Sequence, residues 1–222
     1  MNVVLALSSD GQRAGFTSVI LSLLAILLVT PTFGQAEESP SPYAIIDPPI
    51  RSYNEEHIEI IEWFWYASPE SYQSFSTLTD WEKQLPNDVE IRRMPAVLKD
   101  DWAILADVYL AIEKIGLAES LHERVYQAVI REGLNWLDER YLFDWIDRQG
   151  ADVAAFARAF RSEEVYRNRL YSEQLARSIQ IKEVPAFLVQ GRYLITSDLA
   201  GGIEHFPDAL NRVIAEIRQN KR

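Results

Sequence analysis

Hydrophobic and polar positions follow different periods along the chain, and each period predicts a different kind of element. A nearly continuous apolar run over residues 58–66 predicts a strand buried on both faces. Apolar positions then recur with a helical period between residues 100 and 179. The strand pattern returns at residues 184–189, where Gln190-Gly191 predicts a hairpin turn into one more strand.

Residues that favour element ends refine this order. Ser68 is followed by Pro69, a pair that predicts a helix N-terminus with Ser68 as the cap, and this helix is expected to end before Pro86. A strand follows at residues 89–94, and a last helix covers residues 205–218. The chain therefore has the order β-α-β, a block of helices, then α-β-β-α. This order predicts a mixed α/β (α+β) fold with an inserted α-helical domain.

The first 36 residues have the features of a secretory signal peptide. Arg13 precedes an apolar run over residues 16–29, and Gly34 and Ala36 place small residues at the −3 and −1 positions of a cleavage site. The run is shorter than the ~20 apolar residues that a spanning helix needs. We therefore expect export with cleavage after Ala36, and an uncleaved N-terminal anchor is the alternative.

Composition narrows the chemistry that the chain can perform. Its 222 residues carry a formal net charge of −11 and include no cysteine. An acidic surface repels phosphate backbones, so we expect no nucleic-acid partner. His57, His122 and His205 do not have the spacing of metal ligands, so no metal is expected. Without disulfides, the fold must be stabilised by its core alone.

Two segments give the chain a resemblance to a known family. The first reads Glu62-Trp63-Phe64-Trp65-Tyr66-Ala67-Ser68-Pro69-Glu70-Ser71-Tyr72. The second reads Val184-Pro185-Ala186-Phe187-Leu188-Val189-Gln190-Gly191-Arg192-Tyr193. With helices between them, these segments resemble the DsbA family of periplasmic thiol:disulfide oxidoreductases over about residues 43–220. The resemblance implies a thioredoxin-like fold and a periplasmic location.

The resemblance also gives each polar position in the first segment a counterpart. Ser68 and Ser71 stand in the places of the family's nucleophilic and resolving cysteines, on either side of Pro69 and Glu70. Glu70 replaces the histidine that helps to stabilise the family's thiolate, and Glu62 matches the acid that assists proton transfer. A hydroxyl can neither form a disulfide nor act as a thiolate, so we expect no redox catalysis. We interpret Ser68 as a helix cap and Glu62 as an inherited buried acid.

The second segment corresponds to the family's substrate-binding groove. Pro185 matches the family's cis-proline, which lines the groove, and Val184 would pair its backbone with an extended peptide. Glu183 stands where the family usually has glycine, and it adds a negative charge at the rim of the groove. The resemblance therefore implies a substrate groove that contains Val184 and Pro185.

The resemblance divides the chain into consecutive parts. We assign residues 1–36 to the signal peptide and residues 37–56 to a flexible mature N-terminus. The thioredoxin-like domain would comprise residues 57–100 and 166–222, and the helical insertion would comprise residues 101–165.

Two functions fit these residues. In the first, the chain is a redox-inactive, chaperone-like protein that binds extended or unfolded exported polypeptides, or one dedicated periplasmic partner, without a cofactor. In the second, it is a glutathione-dependent transferase or isomerase, because the Ser-Pro-x-Ser sequence also resembles the kappa-class glutathione transferases. Ser68 would then stabilise a bound thiolate, and Val184 would pair with the glutathione backbone. Whether the chain is an enzyme therefore stays open.

Overall fold

A computed structural model describes residues 41–52 and 56–220 of the protein. The strands are β1 (Ala44–Ile45), β2 (Ile58–Phe64), β3 (Val89–Pro95), β4 (Ala186–Val189) and β5 (Tyr193–Thr196). The helices are α1 (Pro69–Glu82), α2 (Ala103–Lys114), α3 (Ala118–Ile130), α4 (Glu139–Arg148), α5 (Val153–Phe160), α6 (Glu163–Ser178), α7 (Ser197–Ala200) and α8 (Phe206–Asn220). The predicted signal peptide lies outside the described residues. Within these residues, no helix has the length and apolar character needed to cross a membrane.

β2 lies inside the sheet that the described strands form, in the order β1-β5-β4-β2-β3. It pairs parallel with β3 and antiparallel with β4, and the β4 ladder ends where Trp63 faces Ala186. Every residue of β2 is buried, as its nearly continuous apolar pattern predicts. This burial requires that other elements cover both faces of the sheet.

Helices cover both faces of the sheet. On one face, Ile60 and Phe187 pack against side chains of α1 and α8. On the other face, Ile61 and Leu188 pack against side chains of α2 and α6. Helices α2 to α5 enclose a further core, which reaches Phe64 at the end of β2. The end of β2 therefore lies where the sheet meets the helical part of the protein.

The hairpin between β4 and β5 confirms the turn predicted at Gln190-Gly191. The two residues have φ angles of +50° and +64°, as this type of turn requires. A Cβ atom on Gly191 would lie 1.8 Å from the backbone oxygen of Ile50. Glycine is therefore required here by both its conformation and its close packing against the N-terminal segment.

Two expected domain boundaries differ from the structure. The segment 37–56, which was expected to be flexible, contributes β1, and the Ile46 N–H donates to the Arg192 oxygen at 2.7 Å. This pairing joins residues far apart in the chain, so local composition does not reveal it. The boundary placed between residues 165 and 166 falls inside α6, because Ser162 caps one continuous helix.

Candidate functional site

Ser68 forms the N-terminus of α1. Its backbone is extended, and its Oγ accepts a hydrogen bond from the Ser71 N–H at 3.0 Å, so Ser68 caps the helix as predicted. Pro69 occupies the first helical position, where an N–H group is not needed. The Ser68 hydroxyl also donates to Glu70 Oε2 at 3.0 Å. The protein thus uses this hydroxyl both as donor and as acceptor.

Ser71 is fully buried beneath the helix start. Its Oγ accepts a hydrogen bond from the Trp65 N–H at 3.2 Å, across the turn that leads from β2 into α1. A serine becomes a nucleophile when a neighbouring base takes its proton. At Ser68 the proton acceptor is the exposed Glu70 carboxylate, whose charge would oppose an anion on the same oxygen. Both serine hydroxyls are thus hydrogen-bonded within the turn that begins α1.

Val184 and Pro185 immediately precede β4, at the end of the sheet where β2 leads into α1. The ladder between β2 and β4 stops at Trp63 and Ala186, since the chain after β2 turns into α1. Within the described residues, the backbone N–H and C=O of Val184 make no hydrogen bond. The Val184–Pro185 peptide bond is cis, Pro185 is buried, and Val184 is half-buried. A role for these two residues in substrate binding stays a prediction.

Indole rings form an apolar surface at this end of the sheet. Trp65 stacks on Trp102 with ring centroids 4.0 Å apart and 3° between the ring planes. Trp136 meets Trp65 edge-on at a centroid distance of 6.4 Å. Val184 packs against the same apolar cluster as Trp65 and Trp102. Val184 thus belongs to the same apolar cluster as two of the three indole rings.

Glu62 is a buried acid on β2, with 2% of its surface exposed. Arg93, its partner in the β2–β3 register, places Nε 3.0 Å from Glu62 Oε2, without the alignment of a good hydrogen bond. Arg93 also contacts the carboxylate of Glu82 on α1. Burial raises the pKa of Glu62 to about 7, although the positive charge of Arg93 acts in the opposite direction. In the sequence Arg93 is one of several charges on β3, so its pairing with Glu62 could not be predicted from local pattern.

His122 and Tyr66 form a second buried polar pair, which could not be predicted from the sequence. The Tyr66 hydroxyl oxygen lies 2.7 Å from His122 Nδ1, and both side chains are buried. Burial lowers the pKa of His122 well below its ordinary value and raises the pKa of Tyr66 well above its own. Both groups are therefore neutral. They come from β2's end and from α3, so no local pattern connects them.

The arrangement around Ser68 offers backbone groups and apolar surface to a ligand. The hydroxyls of Ser68 and Ser71 are already bonded within the protein. Among the residues that the structure describes, no group of three or more His, Asp or Glu side chains is placed to hold a metal ion.

Known proteins resemble this chain over most of its length. No family model matches it. The thiol:disulfide interchange protein DsbA of Bordetella pertussis is 30% identical over 192 residues, which cover 86% of this chain and 90% of the relative. The DsbA of Azotobacter vinelandii is 30% identical over 161 residues, which cover 72% of this chain and 75% of the relative. The crystal structure of Pseudomonas aeruginosa DsbA has a TM-score of 0.77 and 25% identity, over 82% of this chain and 94% of that one. The predicted fold class is therefore confirmed.

Proposed function

The chain belongs to the DsbA family of thiol:disulfide interchange proteins, and from this premise we propose that it is a redox-inactive member that binds extended polypeptides. It acts in the periplasm without a cofactor, on unfolded exported polypeptides or on one dedicated partner. The peptide lies along Val184 and Pro185, next to the Trp65 end of β2.

The bonding of the two serine hydroxyls carries the first part of this proposal. Ser68 Oγ is held by the Ser71 N–H and the Glu70 carboxylate, and Ser71 Oγ is held by the Trp65 N–H. Disulfide exchange requires sulfur both as nucleophile and as leaving group, and the chain has no cysteine. The family's reaction is therefore absent, while the helix start on which it was built is retained.

The unbonded backbone at Val184 supports the second part. An extended peptide that pairs with a free strand-like segment gains main-chain hydrogen bonds whatever its sequence, and nearby pockets select its side chains. At Val184 both the N–H and the C=O are available within the described residues. Trp65, which is half-buried and stacks on the buried Trp102, belongs to the same apolar cluster as Val184 and would offer apolar contact to alternate side chains of the peptide.

The glutathione-dependent alternative uses the same serine differently. Ser68 would have to direct its proton at a glutathione thiolate, whereas it donates this proton to Glu70 at 3.0 Å. A thiolate at this position would displace the carboxylate and then lie close to its negative charge. This repulsion favours the polypeptide-binding function, and glutathione is included in the experiment as the competing ligand.

A titration with a permanently unfolded polypeptide tests the proposal. We suggest adding a reduced, carbamidomethylated polypeptide to isotope-labelled protein while backbone amide and indole resonances are recorded, with reduced glutathione in a parallel titration. We expect saturable shifts centred on the Val184 amide and the Trp65 indole with the polypeptide. We expect no saturable shifts with glutathione.

Three variants locate the binding surface. Ser68→Ala should change the polypeptide affinity by less than about twofold, because the peptide is bound by backbone groups and apolar surface rather than by this hydroxyl. Val184→Lys places a long charged side chain on the surface and should weaken binding by about tenfold or more. Val153→Lys changes a half-buried valine at the start of α5 and is the matched control. Glutathione binding that is lost in Ser68→Ala, or polypeptide binding unchanged by Val184→Lys, would contradict the proposal.

A further inference from the structure

A cavity of about 620 Å³ lies between α1 and α3, apart from Val184 and Pro185. Its volume is within the range of small-molecule sites. Phe75 of α1 and Tyr109 of α2 provide aromatic walls, and His122 of α3 lines the cavity together with them. Phe75 and His122 are in edge-to-face contact at a centroid distance of 5.1 Å, so this part of the lining is a packed surface.

His122 presents a hydrogen-bond donor to this cavity. Tyr66 Oη lies 2.7 Å from His122 Nδ1, and we assign the proton of this bond to the Tyr66 hydroxyl, because that proton has no other acceptor within the described residues. Because burial keeps the imidazole neutral, its single proton is then on Nε2. No protein group in the described part of the chain accepts this proton, and the Nε2 edge is the part of the ring left to face the cavity. Nε2 is not among the fully buried polar atoms that lack a partner within the described residues, so the cavity gives access to it, and an acceptor atom on a ligand can bond to it there.

The charges around the cavity leave an excess of negative charge. Arg93 faces the carboxylates of Glu62 and Glu82, and Lys83 is bonded to Asp80 at 2.8 Å. The positive side chains that line the cavity are therefore already neutralised.

Two carboxylates at the mouth are not neutralised in this way. Glu119 and Glu123 are exposed on α3, one helical turn apart, and both line the cavity on the same side of the helix as His122. Neither forms an ion pair within residues 41–52 and 56–220; Glu123 accepts a hydrogen bond from Gln127 at 2.9 Å. A cation at the mouth would thus meet carboxylates that have no competing positive partner.

We propose that this cavity binds an organic ammonium ion that carries a hydroxyl or carbonyl oxygen at its other end. The ammonium group lies between Glu119 and Glu123, the carbon chain packs against Phe75 and Tyr109, and the oxygen accepts the proton of His122 Nε2. This site is independent of the polypeptide-binding function, because it shares no residue with the surface at Val184.

Three small probes of matched length test the ligand class. We suggest titrating the isotope-labelled full chain with aminopentanol, with pentylamine, which lacks the oxygen, and with pentanediol, which lacks the charge. For aminopentanol we expect a dissociation constant on the order of 1 mM, as befits a ligand of few non-hydrogen atoms. We expect about tenfold weaker binding of pentanediol and several-fold weaker binding of pentylamine. The ring nitrogen resonances of His122 should shift with aminopentanol and much less with pentylamine.

A surface variant separates this site from general attraction of cations to an acidic protein. The double variant Glu119→Gln/Glu123→Gln should weaken aminopentanol binding by about tenfold. The double variant Asp144→Asn/Asp147→Asn removes the same charge from exposed positions of α4 and should leave binding unchanged. The proposal is overturned if the two double variants behave alike, if pentanediol binds as tightly as aminopentanol, or if the His122 resonances do not move.

Discussion

Glu62 makes the stability of the protein depend on pH in a direction that can be calculated. Its pKa is about 7 in the folded protein, against 4.5 for an unperturbed glutamate. Between these two values the folded protein holds a proton on Glu62 that the unfolded chain has released. Folding therefore takes up a proton in this range, and the contribution of Glu62 to the free energy of unfolding falls as the pH rises. This contribution is constant below about pH 4.5 and again above about pH 7.

The size of this effect follows from the same two values. One pKa unit corresponds to 1.36 kcal/mol, so the contribution of Glu62 falls by about 3 kcal/mol across the range. The main cause is burial; the charge of Arg93 offsets it only in part, and the nearby Glu82 carboxylate raises the pKa further. About 3 kcal/mol is a large share of the 5–15 kcal/mol stability of typical domains, so the effect is measurable.

The variant Glu62→Gln isolates this contribution, because glutamine has the shape of the protonated acid and does not titrate. We expect the variant and the unchanged protein to differ little near pH 4, and the variant to be more stable by about 3 kcal/mol near pH 8. Urea unfolding followed by tryptophan fluorescence at several pH values gives the difference. The control Glu132→Gln removes an exposed carboxylate and should change stability by less than about 0.5 kcal/mol at every pH. Parallel stability curves for Glu62→Gln and the unchanged protein would refute the reasoning.

Three further predictions concern the helix start and the hairpin. Ser68→Ala removes the cap that accepts from the Ser71 N–H and should lower the free energy of unfolding by about 1 kcal/mol in urea unfolding, with an unchanged m-value. Ser68→Cys places a thiol beside the Glu70 carboxylate, whose negative charge disfavours the thiolate. The pKa of this thiol should therefore be lower in the double variant Ser68→Cys/Glu70→Gln than in Ser68→Cys, as measured by the ultraviolet absorbance of the thiolate. Gly191→Ala forces a Cβ against the backbone oxygen of Ile50 at a positive φ angle and should lower Tm, measured by circular dichroism, by several degrees; an unchanged Tm would contradict the close packing.

Features that depend on neighbouring residues could be predicted from the sequence. Ser68-Pro69 specifies a helix start within a few residues, and the structure has the predicted cap there. Asp152 caps α5 through the Ala155 N–H at 2.9 Å, which is a contact of the same local kind. Caps and tight turns are recognisable because the backbone groups they satisfy lie within about four residues of the side chain that satisfies them.

Contacts between distant segments could not be predicted in this way. The Tyr66–His122 pair joins positions 56 residues apart, and its existence depends on how α3 packs against the end of β2. Arg93 reads in the sequence as one charge on a strand. It becomes the partner of Glu62 through the parallel register of β2 and β3. Only the folded arrangement identifies which polar side chains share a buried space.

The chemistry of serine explains how both cysteine positions can change while the fold is retained. A serine side chain is slightly smaller than cysteine, and its hydroxyl is a stronger hydrogen-bond donor and acceptor than a thiol. At position 68 this property is used directly, because serine is a preferred helix cap and the Ser71 N–H is satisfied. At position 71 the buried hydroxyl accepts from the Trp65 N–H, so no backbone donor is left unsatisfied there. Serine at both positions therefore maintains the local hydrogen bonding without sulfur. In the proposed polypeptide-binding protein, function lies in what the surfaces bind, and the surface at Val184 and the cavity at His122 are two places where the described residues offer unbonded groups.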